Sequence, residues 1–446
     1  MSSYKIQKTD GKTDWFTNDR FGMFIHFGLY SMSAKWEWYK TTDLISEAHY
    51  DKYFEHFNPD MLDAREWARK AKAAGMKYAV LTTKHHEGFC LFDSDYTDYK
   101  ITNTPYGRDL VKEYADAFRA EGLKVGFYYS LIDWHHPDFP IDVIHPLRES
   151  ADAPMLDAKR DMKKYAEYVR NQVRELLTNY GKIDILWFDF SYPNPTPEYV
   201  RKMLAFAPHA PANPKKEWMQ FNGGKGKDEW ESEKLVALIR SLMPDIIINN
   251  RTGLPCDLAT PEQVQPDEWM RDKESGEYMV WESCQTFSGS WGYARDEHTW
   301  KSPKMLIDML IKNVARGGNM IMNVGPNARG CFDGRADAAL SALGDWMKYN
   351  SRAIYGCTMA EPELCEPRGA SLTQSIDGSR LYLCLTEYPF KSIKLSSLAG
   401  KISYAQFLSD ASEVEYKENF DTGEVVFSLP IIPPSPITPV IEIFLK

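Results

Sequence analysis

Between residues 20 and 350 the chain alternates short apolar runs with longer stretches whose apolar positions recur at helical spacing. The runs read as strands: FGMFIHFGL (21–29), KYAVLTTKHH (77–86), KVGFYYSL (124–131), IDILWFDFS (183–191), DIIINNRT (245–252), MVWESCQT (279–286) and NMIMNVGP (319–326). Helical patterns lie between them. DAREWARKAKAAG (63–75) and DLVKEYADAFRAEG (109–122) each end on a glycine suited to the left-handed turn after a helix. Residues 157–180 carry Ala166, Val169, Val173 and Leu176 on one face, and further helices are predicted at 232–243, 302–316 and 335–350. Strand–helix units repeated at this length build a parallel sheet, and seven or eight in series favour a (β/α)-barrel. An open doubly wound sheet is the alternative, but no glycine-rich phosphate loop follows the first strand.

Near Cys365 the period changes to two. SLTQSI, SRLYLCLTE, SIKLSS, SYAQFLS, GEVVFSLP and PVIEIFLK alternate apolar and polar residues between turns such as Asp377-Gly378. The chain is thus an α/β protein: a catalytic-type (β/α)-barrel over 1–360 and a small C-terminal antiparallel β-sandwich over 361–446. A length of 446 residues also suits two cores better than one.

Composition narrows the classes. A net charge of −10 argues against a nucleic-acid partner, which would need a basic face. No apolar run is long enough to span a bilayer, and the first residues have no apolar leader core, which fits a cytoplasmic protein; a secreted one trimmed of its signal is the alternative. Seven scattered cysteines without CxxC spacing read as buried thiols rather than a disulfide frame or zinc site. Aromatics at 13% lend weak support to a pocket that stacks on sugar faces.

Candidate chemistry gathers at the C-terminal strand ends, where barrels collect catalytic groups. His26 ends the first strand and His85–His86 the second. Tyr128 and Tyr129 end the third, with Asp133, Trp134, His135 and His136 beyond it. Asp189 ends the fourth, Asn249, Asn250 and Arg251 the fifth; Glu282 lies in the sixth and Asn323 in the seventh. Asp189 follows a fully apolar run, where an unpaired carboxylate is costly unless a function needs it, although a strand-end aspartate capping the next turn is the structural reading. Glycoside hydrolysis needs two carboxyl groups about one bond. Asp189 supplies one. Glu262, Glu268 and Glu282 are candidates for the other, with Glu282 equally readable as a structural ion-pair partner. A metal hydrolase using His26, His85, His86 and Asp189 is the rival. Adjacent histidines on a strand face opposite ways, so at most one of His85 and His86 would reach such a site, and a metal-free site is preferred.

Several long stretches carry a resemblance: RFGMFIHFGLYS (20–31), EWY (37–39), TTKHHEGF (82–89), DILWFDF (184–190), WESCQTFSGSWGY (281–293) and GGNMIMNVGP (317–326). In these stretches and their order the chain resembles the α-L-fucosidases of glycoside hydrolase family 29. The resemblance implies an exo-acting, retaining, cofactor-free hydrolase of fucosylated oligosaccharides or glycosides. It implies Asp189 as nucleophile and Glu262 as general acid/base, with Glu282 as the alternative acid/base or a sugar contact. It also implies sugar binding by His26, His85 and His86, and a pocket wall of Trp38, Tyr129, Trp187 and Arg251. Two departures stand out. The WFD motif is usually followed by glycine and here by Phe190, and an NDR-type motif becomes Asn249-Asn250-Arg251. The long segment 207–231 either covers the pocket mouth or makes a contact between copies in a homo-oligomer. A related exo-glycosidase such as an α-L-galactosidase, and a non-catalytic sugar-binding barrel, are the alternatives.

Overall fold

Seven parallel strands frame the first 350 residues: β1 (Phe21–Ile25), β2 (Tyr78–Lys84), β3 (Lys124–Ser130), β4 (Ile185–Asp189), β5 (Ile247–Ile248), β6 (Glu282–Thr286) and β7 (Asn319–Val324). All seven fall inside the apolar runs predicted for them. The computed structural model describes residues 9–192 and 224–446, so most of the 207–231 segment lies outside the described residues. Strand order is β5-β4-β3-β2-β1-β7-β6. Residues 257–263 fill the gap between β5 and β6. Asp257 N donates to Ile248 O and Asn250 N to Leu258 O on one side. On the other, Ala259 N bonds Val280 O, Glu282 N bonds Ala259 O, and Gln263 N bonds Cys284 O. Bridges Asn249–Leu258, Ala259–Trp281 and Glu262–Cys284 are all parallel, so this segment takes the place of an eighth strand and the barrel closes.

Helices Ala64–Ala73, Leu110–Ala120, Met162–Thr178, Ser232–Leu242, Pro303–Val314 and Gly334–Asn350 pack around the ring, at the positions the helical spacing predicts. Asp63, Asp109 and Asp161 cap three of them through backbone N–H groups, each cap worth about 1 kcal/mol. Gly75 and Gly122 adopt φ of +87° and +78° just past their helices, as their positions suggest.

Alternation along each strand sorts side chains into two cores. Phe24, Val80, Tyr128, Ile185 and Trp187 point into the barrel. Their neighbours Met23, Leu81, Phe127, Tyr129, Leu186 and Phe188 face the helices. Gly22 belongs to the inner face, where a Cβ would lie 2.2 Å from the Tyr78 ring; its lack of a side chain makes room for that ring.

Beyond the barrel, strands β8 (Cys357–Met359), β9 (Ser371–Ser375), β10 (Arg380–Cys384), β11 (Ser392–Leu395), β12 (Ile402–Phe407), β13 (Tyr416–Asn419), β14 (Glu424–Ser428) and β15 (Val440–Leu445) form two sheets. The five-stranded sheet runs β12-β15-β10-β9-β8 and the three-stranded one β11-β14-β13. A second apolar core built from Leu372, Leu383, Leu395, Phe407, Phe427 and Ile443 lies between them. β8 and β13 were not read from the sequence; each is short, and β13 alternates without a buried residue. All seven cysteines are free, and Cys365 is exposed where a buried thiol was expected. Among the described residues no helix is long and apolar enough to cross a membrane.

Candidate active site

The C-terminal mouth of the barrel opens into two connected spaces. A narrow inner pocket is lined by Phe24, His26, His85, His86, Tyr128 and Trp187. An outer cleft of about 1000 Å³ is lined by Trp36, Glu37, Asn250, Arg251, Gln263 and Lys301 among others. Trp38, Asp189, Phe190, Glu262 and Trp291 line both spaces and mark where they meet. Of the expected row of strand-end polar groups, His26, His85, His86, Tyr128, Asp189, Asn250 and Arg251 converge here, while Tyr129, Asn249, Glu282 and Asn323 do not line the cavity.

Asp189 and Glu262 share one cation at that junction. Arg251 Nη1 lies 2.7 Å from Asp189 Oδ1 and 2.8 Å from Glu262 Oε2. The two oxygens thus lie within the sum of those lengths of each other, at most about 5.5 Å. Arg251 is itself held. Nε donates to Thr260 Oγ1 at 3.0 Å, and the guanidinium sits 4.6 Å over the Trp187 ring. Burial works against its charge, but Glu262 and then Asp189 outweigh burial and raise its pKa above the usual guanidinium value. The second Asp189 oxygen accepts from Tyr128 Oη at 2.8 Å. Of the three glutamates considered for the second carboxylate, the fold brings only Glu262 to Asp189. Glu268 is exposed and borders a separate cavity beside Arg316 and Glu366. Glu282 is the first residue of β6, so it lies at the opposite end of the barrel, fully buried and bonded to the Tyr78 hydroxyl. Burial lifts its pKa to about 8, with the Tyr78 hydrogen bond opposing. It does not reach the pocket, which corrects its placement among the sugar contacts: the strand was read correctly, but its C-terminal end lies four residues on.

His85 and His86 both line the inner pocket, with ring centroids 3.9 Å apart. The expectation that only one could do so fails because β2 ends at Lys84, after a register shift against β3 between Thr82 and Lys84. Strand alternation no longer governs the two histidines. His86 Nε2 is 3.8 Å from Asp189 Oδ2, and its Nδ1 is 2.7 Å from Ser130 Oγ. His26 Nδ1 is 2.6 Å from Asn323 Oδ1. Burial, followed by the neighbouring imidazole of His85, holds both His26 and His86 well below the usual histidine range, so both rings are neutral. Among the described residues no three of His, Cys, Asp or Glu are grouped to hold a metal ion.

Trp38 and Trp187 stand in the wall as expected. Trp38 packs edge-on against His86 and Trp134, and Trp187 stacks on Tyr128 with centroids 5.7 Å apart. Tyr129 does not. It faces the helices, where its hydroxyl donates to Gln172 Oε1 at 2.8 Å, and Tyr128 takes the pocket position. The two tyrosines differ only in strand parity, so shifting the choice by one residue reverses the outcome.

Phe190, the departure from the family pattern, sits at φ +78°. A bulky residue in that region carries strain of about 1–3 kcal/mol, which a glycine would not. Its ring packs on Trp38 and His86 and so separates the inner pocket from the cleft. Asn249, the first residue of the NDR-type motif, bonds Phe188 N and O with its amide and ties β5 to β4, while Asn250, where the motif departs, lines the cleft. Glu37, Trp291 and Cys284 also border the site and were not named as site residues. Glu37 is buried, which raises its pKa above the usual carboxyl value against the Gly292 N–H that bonds it at 2.8 Å. Glu37 and Trp291 come from connecting segments; only their presence in EWY and GSWGY marks them in the sequence.

A pocket with a blind aromatic floor, neutral imidazoles and two adjacent carboxylates at its mouth suits cleavage of a bond to a single polyhydroxylated ring. Comparison with known proteins agrees. A family model described as Alpha-L-fucosidase matches residues 2–352. The α-L-fucosidase of Dictyostelium discoideum is 27% identical over 383 residues, covering 77% of this chain and 71% of that protein. The structure of α-L-fucosidase isoenzyme 1 from Paenibacillus thiaminolyticus superposes with a TM-score of 0.87 at 41% identity, covering 98% of this chain and 99% of that one. A Bacteroides thetaiotaomicron α-L-fucosidase, solved as a trapped covalent intermediate with 2-fluoro-fucosyl fluoride, gives 0.77 at 26% identity, covering 100% and 98%.

Proposed function

The chain belongs to the α-L-fucosidase family, and from that premise we propose that this glycoside hydrolase removes terminal α-L-fucosyl residues with retention, through a covalent intermediate on Asp189. The observation that carries this reading is the shared Arg251 cation, which keeps Asp189 and Glu262 within about 5.5 Å. That upper bound is compatible with the roughly 5–5.5 Å used by retaining enzymes and lies below the roughly 6.5–9.5 Å that inversion needs to admit a water.

In the first step Asp189 Oδ attacks the anomeric carbon, the glycosidic bond breaks, and Glu262 gives its proton to the departing oxygen. In the second, Glu262 takes a proton from water as the water oxygen displaces Asp189, which leaves as a carboxylate. Tyr128 and Arg251 donate to Asp189 and hold its oxygens in place. The inner pocket, about 50 Å³ and widening at the junction with the cleft, is placed to hold the inner edge of the terminal sugar, and the cleft of about 1000 Å³ takes the remainder of a glycan or aglycone, which supports exo action. Trp187, Phe24 and Trp291 offer the apolar surface that the C5 methyl group of fucose needs.

Hydrolysis of an aryl α-L-fucoside by Asp189→Ala and Glu262→Ala, with and without azide, tests the assignment. Both variants are expected to lose activity, Glu262→Ala by about 10²–10⁴-fold for a substrate that needs acid assistance. Azide should rescue Glu262→Ala to an α-fucosyl azide, since it displaces Asp189 from the β-linked intermediate with a second inversion, and should rescue Asp189→Ala to the inverted β-fucosyl azide. Near wild-type rates for Glu262→Ala, or a β-azide product from that variant, would sink it.

A further inference from the structure

Each of the three pocket histidines has Nδ1 turned to a neighbour behind the wall, and the chemistry of that neighbour decides where the ring hydrogen sits. At His26 the neighbour is Asn323. Its Nδ2 donates to the Trp291 carbonyl at 2.6 Å, which turns Oδ1 toward His26 Nδ1 at 2.6 Å. An amide oxygen only accepts, so Nδ1 carries the hydrogen. At His86 the neighbour is Ser130, whose Oγ gives its one hydrogen to Ile132 O at 2.7 Å. Ser130 can then only accept from His86 Nδ1, 2.7 Å away. At His85 the neighbour is Glu87, with Oε2 3.4 Å from Nδ1. Glu87 is buried, and neither of its oxygens has a hydrogen-bond partner among the described residues. His85 Nδ1 is likewise without a hydrogen-bond partner, so the two groups face each other across 3.4 Å, and a closure of a few tenths of an ångström would let an Nδ1–H donate to Glu87 Oε2.

We propose that Asn323, Glu87 and Ser130 are positioning residues that hold His26, His85 and His86 in one common tautomer, with Nδ1 protonated and three bare Nε2 lone pairs facing the sugar. The pocket then accepts from three hydroxyl groups and has no imidazole hydrogen to give. The neutrality of His26 and His86 agrees with this, since each ring then holds one hydrogen. So does the 3.8 Å gap between His86 Nε2 and Asp189 Oδ2. Two lone pairs face each other there, and Asp189 takes its hydrogens from Tyr128 and Arg251 instead. The identity of the three hydroxyls as those of fucose rests on the fucosidase reading; the tautomers do not.

The experiment is a two-bond nitrogen–proton correlation spectrum of the full chain labelled with ¹⁵N-histidine, which separates protonated from bare ring nitrogens. Ten histidines are few enough to assign with His26→Gln, His85→Gln and His86→Gln. All three are expected to show a protonated Nδ1 and a bare Nε2; a bare Nδ1 on any of them overturns the proposal. Ser130→Ala should move the hydrogen of His86 to Nε2 and lower kcat/KM for an aryl fucoside about tenfold. Ser130→Thr should restore both the spectrum and the rate. Loss of stability in Ser130→Ala with the His86 resonances unmoved would make Ser130 merely structural and overturn its role. Should Ser130→Ala fail to fold, Asn323→Asp keeps an acceptor and must leave the His26 tautomer as it is; a changed tautomer there counts against the proposal. Intact tautomers without any turnover of fucosides would instead sink the functional reading alone.

Discussion

Glu282 shows how far one residue's role depends on where its strand begins. In WESC it reads as lying inside the sixth strand, either a candidate acid or a structural ion-pair partner; it opens β6 and so lies at the barrel floor, fully buried, with Tyr78 donating to it. Burial raises its pKa to about 8 from a usual 4.5. The folded state therefore keeps this proton between those values while the unfolded chain releases it. Stability is untouched below about pH 4.5, falls as pH rises toward 8, and levels off above. The cost at pH 8 is on the order of a few kcal/mol. Glu282→Gln, which keeps the shape and loses the charge, should gain on wild type as pH rises from 5 to 8, measured by denaturant melts at each pH. Parallel curves for the two proteins would contradict a neutral buried Glu282.

At the scale of elements, the segment 257–263 departs most from the sequence reading. DLATPEQ has no strand pattern and contains a proline, so it reads as a loop after the fifth strand. In the fold it is a stave of the barrel, bonded to β5 through Asp257 and Leu258 and to β6 through Ala259, Pro261 and Gln263. Pro261 is tolerated because its carbonyl, not its missing N–H, is what Cys284 uses. This fixing gives Glu262 a defined position while its side chain remains partly open to solvent, 44% exposed, as a group exchanging protons with water should be. Ala259→Pro would remove the N–H that bonds Val280 O. It should cost about 3 kcal/mol of stability or break the stave locally, and lower kcat at least tenfold without altering either carboxylate. An unchanged kcat in a folded variant would mean the stave does not position Glu262.

Across the whole molecule the β-sandwich is joined to the barrel by apolar packing and by specific bonds. Cys357, Tyr382, Cys384, Leu408 and Val440 belong to the same apolar core as the barrel's outer face. Arg316 forks onto both oxygens of Glu366 at 2.9 and 2.7 Å, Arg20 Nε bonds Cys357 O, and Trp346 Nε1 bonds Thr438 O. A buried arginine such as Arg20 left without its carbonyl would be strongly destabilising. The two units should therefore melt as one. Calorimetry should give a single transition, and a chain ending at residue 356 should lose several degrees of Tm or fail to fold. Two separate transitions, or a truncated barrel as stable as the whole, would show the sandwich to be an independent appendage.

The sequence by itself determined the strand and helix series, the glycine-ended helices, the change to period two near Cys365 and, through its long motifs, the family. These follow from local periodicity and residue chemistry, which act over a few neighbouring positions. Tertiary structure alone decided four matters: that Tyr128 rather than Tyr129 faces the pocket, that both His85 and His86 do, that Glu282 lies at the far end, and that Glu262 meets Asp189 on Arg251. Each depends on strand parity, on where a strand stops, or on closure between segments distant in the chain. A one-residue difference there reverses which way a side chain points, and only the hydrogen bonds between strands fix it.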